Sequence, residues 1–147
     1  MISVIFLDTG PLGVLSHPRS NREITSWFFK MLDRGRQVIV PEIADYEVRR
    51  ELIRAKKITS IQRLDQWKKA AFYVLLTTTT MLKAAELWAM ARTRGVPTAD
   101  RHALDGDVIL AAQALTYEAN GRELVIASDN VAHLKRFVPT QTWESIA

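Results

Sequence analysis

Ile2–Leu7 is apolar apart from Ser3 and rich in β-branched side chains, the pattern of a strand buried on both faces. It runs straight into Asp8, and Thr9-Gly10-Pro11 turns the chain into a short helical segment that stops near His17-Pro18. Asn21 is placed to cap a helix carrying Ile24, Trp27, Phe28, Met31 and Leu32 at helical spacing, and Gly35 ends it. "QVIVP" (37–41) predicts a second strand, with Pro41 suited to the first turn of the next helix. That helix runs from Glu42 through Ile43, Tyr46, Leu52 and Ile53, with basic residues between. Thr59 or Ser60 would cap a further one through Leu64 and Trp67. "FYVLLT" (72–77) predicts a third strand, and Thr80 would cap a helix with Leu82, Leu87 and Met90, closed by Gly95. The polar stretch "RGVPTADRHALDGD" (94–107) predicts a long loop of the kind that carries function. An alanine-rich helix over 108–119 follows and stops at Asn120-Gly121; "ELVIAS" (123–128) is a fourth strand and "TQTW" (140–143) a fifth.

Strands alternating with helices imply βαβ units and a largely parallel sheet of four to five strands. No repeat or long linker divides the 147 residues, so they predict one α/β domain with a sizeable core. Apolar residues make up 48% and charged residues 24%, which excludes a disordered tail. There is no cysteine, which excludes disulfides, zinc–thiolate sites, iron–sulfur clusters and thiol nucleophiles. The first residues lack the basic segment and cleavage site of a secretory signal, and no apolar run approaches the roughly 20 residues that span a bilayer. The expectation is a soluble cytoplasmic protein with no membrane partner. A net charge of +4 leans towards a polyanion, weakly.

The carboxylates sharpen that picture. In an open parallel sheet, ligands gather at the carboxyl ends of the strands. Asp8 and Asp129 follow strands one and four, Glu47 lies one and a half turns into the helix after strand two, and Asp105 and Asp107 feed the alanine-rich helix. Carboxylates drawn to one rim would repel and take up protons unless a cation sat among them. Oxygen ligands without cysteine favour Mg²⁺ or Mn²⁺, ions that activate water in phosphodiester cleavage, as one ion or as two roughly 3.5–4 Å apart.

Each residue also has a plainer reading. Asp8 and Asp107 could cap the helices they precede. Glu47 could be a solvated helix residue paired with Arg50 or Arg54, and Glu42, Asp45 and Glu51 on the same helix read that way too. Asp129, in Ser-Asp-Asn, makes a good turn residue. The basic run Arg49, Arg50, Arg54, Lys56 and Lys57 could be a solvated face, an RNA track or a surface for an acidic partner. Trp27, Trp67, Trp88 and Trp143 read as packing residues, as do His17, His102 and His133, although His133, four residues beyond Asp129, is placed to reach the site.

"VIFLDTGPL", "PEIADYEVRREL", "DVILAAQAL" and "VIASDNVAHLKRF" resemble, in order and over nearly the whole chain, the motifs of the PIN-domain ribonucleases, a family that includes the VapC-like toxins of bacterial toxin–antitoxin pairs. The resemblance implies a three-layer α/β/α fold and Mg²⁺- or Mn²⁺-dependent endoribonuclease activity. It places Asp8 as the first acid, Glu47 as the helical glutamate, Asp107 as the third acid and Asp129 as the acid after the fourth strand. All four would be metal ligands and catalytic. Thr9 and Asn130 match polar positions that assist the site, and Asp105 would be an outer ligand or a helix cap. The implied partners are RNA, an antitoxin protein docking near the active-site groove, and a second copy of the chain in a homodimer. The alternatives are a PIN-like RNA-binding or regulatory module without strong activity, and a nuclease directed at DNA.

Overall fold

The structure, a computed structural model, describes residues 1–19, 21–94 and 101–147, with the side chains of 101–103 excepted. The chain forms β1 (Ile2–Leu7), α1 (Thr9–Ser16), α2 (Arg22–Asp33), β2 (Gln37–Pro41), α3 (Glu42–Arg54), α4 (Ile58–Ala70), β3 (Phe72–Val74), α5 (Thr78–Thr93), α6 (Arg101–Thr116), β4 (Glu123–Ala127), α7 (Val131–Leu134) and β5 (Thr140–Gln141), with a 3-10 turn over Trp143–Ser145. The strands make one sheet in the order β3-β2-β1-β4-β5, every pairing parallel. The chain therefore winds outward from β1 to β3 and restarts on the other side with β4. That reversal puts the switch point, where the helices diverge and leave a crevice, between β1 and β4.

Alternation along the strands splits the core in two. Ile5 and Leu7 join Val38, Val40, Val125 and Ala127 beneath α1–α4, with Leu12, Phe28, Met31, Leu64 and Trp67. Val4 and Phe6 face the opposite way with Ile39 and Ile126, beneath α5 and α6, with Leu87, Leu104, Val108 and Ala111. Val4, Ile5, Phe6 and Leu7 are all 0% exposed, so a strand of this composition has nowhere to lie but the middle of a covered sheet. Among the described residues, no helix is long and apolar enough to cross a membrane.

Several expected boundaries move, each for a local reason. The loop expected over 94–107 gives way to helix from Arg101, because Leu104 and Val108, one turn apart, are buried against the sheet and fold the polar residues between them into α6. The same helix stops at Thr116 rather than 119, while Asn120 and Gly121 turn the chain at φ 54° and 80°. Thr77, not Thr80, caps α5: its hydroxyl accepts from Thr80 N at 3.1 Å, and Thr80 is itself buried. α4 begins at Ile58 with no side-chain cap, so neither Thr59 nor Ser60 serves. β3 is cut to three residues, since Leu76 N is already taken by Glu42 Oε1 at 2.7 Å. The expected stop at Gly95 lies outside the described residues, as does the side chain of His102.

Candidate active site

β1 delivers Asp8 to the carboxyl rim. Its N–H donates to Ala127 O at 3.0 Å, which carries the β1–β4 ladder one residue past the strand. The side chain then faces two donors: Oδ1 accepts from Thr9 N at 2.7 Å and Oδ2 from Ser128 Oγ at 2.6 Å. Asp8 is thus the N-cap of α1 and a rim carboxylate together; the two readings do not compete.

From Asp8 the contacts run in both directions around a ring. On one side Thr9 Oγ1 donates to Glu47 Oε1 at 3.2 Å, reaching from α1 to α3. Glu47 in turn lies over Gly106 of α6, so close that a Cβ there would stand 2.8 Å from Oε2. On the other side Ser128 Oγ accepts from Asn130 N at 2.8 Å, and Asn130 Nδ2 reaches both oxygens of Asp107 at 3.3 and 3.4 Å. Asp107 follows Gly106 directly, and the ring closes. Asp129 is exposed beside it, and a Cβ on Gly10 would collide with its carboxylate. Seven residues from four segments of chain are joined here, with Asp129 at the edge.

Burial raises the Asp8 carboxyl above its usual range; the Ser128 and Thr9 hydrogen bonds oppose this, and the charge of Asp129 adds to it. Glu47 is raised by burial and by Asp8, while Thr9 and Arg50 pull it down; Arg50 Nη2 is 3.7 Å from Oε2. Asp107 is pushed up to about 6, first by burial and then by Asp8 and Glu47, against the pull of His133 and Asn130. Asp8 thus raises both Glu47 and Asp107, and Glu47 raises Asp107, so the three acids share one electrostatic site.

Among the described residues no three His, Asp or Glu side chains close into a ready ligand cage. The donors nonetheless fit a hard divalent ion: carboxylate oxygens from Asp8, Glu47, Asp107 and Asp129, and no nitrogen or sulfur among them. Asp105 stands apart, exposed in the groove between α5 and α6 with Met81, Ala84 and Trp88. Ser128 joins the site although it is not among the residues expected there; its signal in the sequence is a hydroxyl at the carboxyl end of β4, just before Asp129. His133, in α7, acts on the site electrostatically, drawing the Asp107 carboxyl down.

The basic run divides. Arg49 is tied to Asp45 at 2.9 Å and Asp65 at 2.8 Å, and Arg54 is paired with Glu51. Arg50 sits beside Glu47 with its guanidinium 5.0 Å from the Tyr46 ring centre, and Lys56 and Lys57 have no ion-pair partner among the described residues.

No family model and no curated protein matches the chain. Solved structures match over almost its whole length. FitAB bound to an IR36 DNA fragment aligns at 18% identity with a TM-score of 0.70, covering 97% of each chain. VapBC2 from Rickettsia felis, bound to a DNA fragment from its promoter, aligns at 16% and 0.69, covering 95% of this chain and 98% of that one. VapBC-1 from nontypeable Haemophilus influenzae aligns at 16% and 0.66, covering 97% and 99%. The fold is PIN-like. At these identities the likeness is one of fold, and in this PIN-like fold the acid ring occupies the β1–β4 switch point.

Proposed function

We propose that this chain is a divalent-metal-dependent endoribonuclease acting as the toxin of a toxin–antitoxin pair. The observation that carries the reading is the closed ring of contacts from Asp107 through Asn130, Ser128, Asp8, Thr9 and Glu47 back to Gly106. Asp8, Glu47 and Asp107 would hold the cation, Mg²⁺ or Mn²⁺, with Asp129 completing the set. Bound there, the ion supplies Lewis acidity at the phosphoryl oxygens and makes water a better nucleophile.

The chain's own residues fix the geometry. Ser128 and Thr9 N hold the two oxygens of Asp8 in separate directions, and Asn130 orients Asp107. Thr9 holds Glu47 towards the same rim. Water attack joins an oxygen to phosphorus and breaks the bond to the leaving ribose oxygen, and no side chain becomes attached to substrate. The solved neighbours VapBC2 and FitAB are assemblies bound to DNA, which supports an antitoxin protein as this chain's partner too. A homodimer would lengthen the RNA groove.

The second reading, an RNA-binding module, is favoured by one observation: the acids stand apart from a finished cage. One experiment separates the two. Purified wild type should cleave RNA with Mg²⁺ or Mn²⁺, and Asp8→Asn should lose at least 100-fold in rate with an unchanged circular dichroism spectrum. Equal cleavage by both proteins refutes the enzyme reading, and the absence of Mn²⁺ binding by calorimetry favours the binding module. Matched RNA and DNA substrates decide the sugar.

A further inference from the structure

A second concavity on the same rim is unused by the acids. Val14 of α1, Arg19, Asn21, Arg22, Glu23 and Ile24 at the entry to α2, and Trp143 after β5 line a cavity of about 310 Å³. We propose that this cavity is an RNA subsite, holding the nucleotide next to the scissile phosphate with its base against Trp143 and its phosphate against Arg19 and Arg22. The inference rests on the nuclease reading for the word scissile, and on its own residues for RNA.

Position is the first argument. All five strands are parallel, so the turn that opens with Trp143 leaves β5 on the rim that carries Asp8 and Asp129. Gly10 abuts Asp129, and Val14 stands one turn further along α1, about 6 Å of helix rise. RNA that lies on the acids and follows α1 from Gly10 to Val14 would meet the cavity.

Chemistry is the second. Arg19 and Arg22 have no carboxylate ion-pair partner among the described residues, unlike Arg49 and Arg54, whose charges are spent within the protein. Two cations against the single Glu23 beside an acidic centre is the distribution a phosphate chain needs to approach that centre. Trp143 supplies a stacking surface held in advance. Its ring lies against Trp27, centres 5.7 Å apart at 58°, and Trp27 is itself pinned by Nε1 donating to Ile146 O at 2.9 Å. Trp143 is half-buried, and its remaining surface lines the cavity. Base stacking on such a ring tolerates any sequence, while arginines fix the backbone.

The test uses the full chain with a fluorescent single-stranded RNA in an Asp8→Asn background, so that binding is read without cleavage. Arg19→Ala/Arg22→Ala should weaken binding about tenfold at moderate salt and lower the slope of log K against log salt by about 0.7, the share of one phosphate on a single strand. Trp143→Leu should weaken binding with the slope unchanged, its fold checked by circular dichroism. An unchanged affinity and slope in the arginine variant overturns the subsite. So does an arginine variant that binds RNA normally but loses a protein partner, which makes the cavity a docking surface instead. Cleavage by the wild type is assayed alongside. If it cleaves and the arginines prove silent, the subsite alone falls; if it never cleaves but the arginines govern affinity, the nuclease reading falls and the RNA site stands.

Discussion

Gly106 lies inside α6, where alanine is ordinarily favoured by about 1 kcal/mol, yet a Cβ there would stand 2.8 Å from Glu47 Oε2. Helix propensity and site geometry oppose each other at this residue, which makes it a sensitive probe. The colliding atom is the tip of a flexible side chain, so the fold can absorb Gly106→Ala by swinging the Glu47 carboxylate aside. The expected result is a Tm equal to or above wild type, with metal-dependent RNA cleavage down at least tenfold. A variant that melts early, or cleaves normally, contradicts this account of Glu47. Residues of this kind are where sequence reading is weakest. Asp8, Glu47 and Asp107 could be named from type and place, but the requirement for glycine at 106 exists only once α3 and α6 are brought together. Ser128 is alike: nothing in "VIASDN" says that its hydroxyl points at a carboxylate 120 residues away.

α3 as an element is set by the charged residue that sequence reading left in solvent. Asp45 is 5% exposed and receives Arg49 Nη2 at 2.9 Å, Tyr73 OH at 2.9 Å and Lys68 Nζ at 3.5 Å, which fastens α3 to α4 and β3. Tyr73 and Lys68 lie 28 and 23 positions on, so no window along the helix could reveal them. Gln113, 1% exposed, makes a comparable tie from α6, accepting from Ile43 N at 3.1 Å and donating to Val74 O at 2.9 Å. Asp45→Ala leaves Lys68 and the Tyr73 phenol without their carboxylate at a packed junction and Arg49 with Asp65 alone, and should cost about 3 kcal/mol, a fall in Tm of about 6–10 °C in a chain this size. Because α3 carries Glu47, activity at a permissive temperature should fall as well; full activity with lowered Tm would show that Asp45 anchors the helix without setting its register. The legible elements were those whose apolar pattern matched their burial. β1 and β2 were read to the residue, and β4 to within one. The start of α6 reads as loop in the sequence because Arg101, His102, Asp105, Gly106 and Asp107 crowd around the two apolar positions, Leu104 and Val108, that bury it.

Over the whole molecule, the acid ring is a cost that the fold carries. Asp8, Glu47 and Asp107 all have carboxyls raised above their ordinary values, so between the unfolded value near 4 and the folded value the native state binds more protons than the unfolded chain. Stability from these groups therefore falls as pH rises through that window, which for Asp107 runs from 3.8 to about 6. The penalty is fully present at neutral pH. Since Asp107 is partly exposed, screening reduces its share to on the order of 1 kcal/mol. Asp107→Asn removes the charge and keeps the shape. Without metal at pH 7.5 the variant should melt about 2–4 °C above wild type, and the gap should close below pH 4, where wild-type Asp107 is protonated. A divalent ion that binds only the folded chain should act in the opposite sense. At 100 times its dissociation constant it adds about 2.7 kcal/mol to the wild type, and much less to a variant lacking one ligand. Scanning both proteins across pH, with EDTA and with Mn²⁺, reads the two effects in one set of melts. A wild-type Tm indifferent to Mn²⁺ at pH 7.5, or a variant no more stable than wild type in EDTA, would mean that these acids meet for a purpose other than holding a cation.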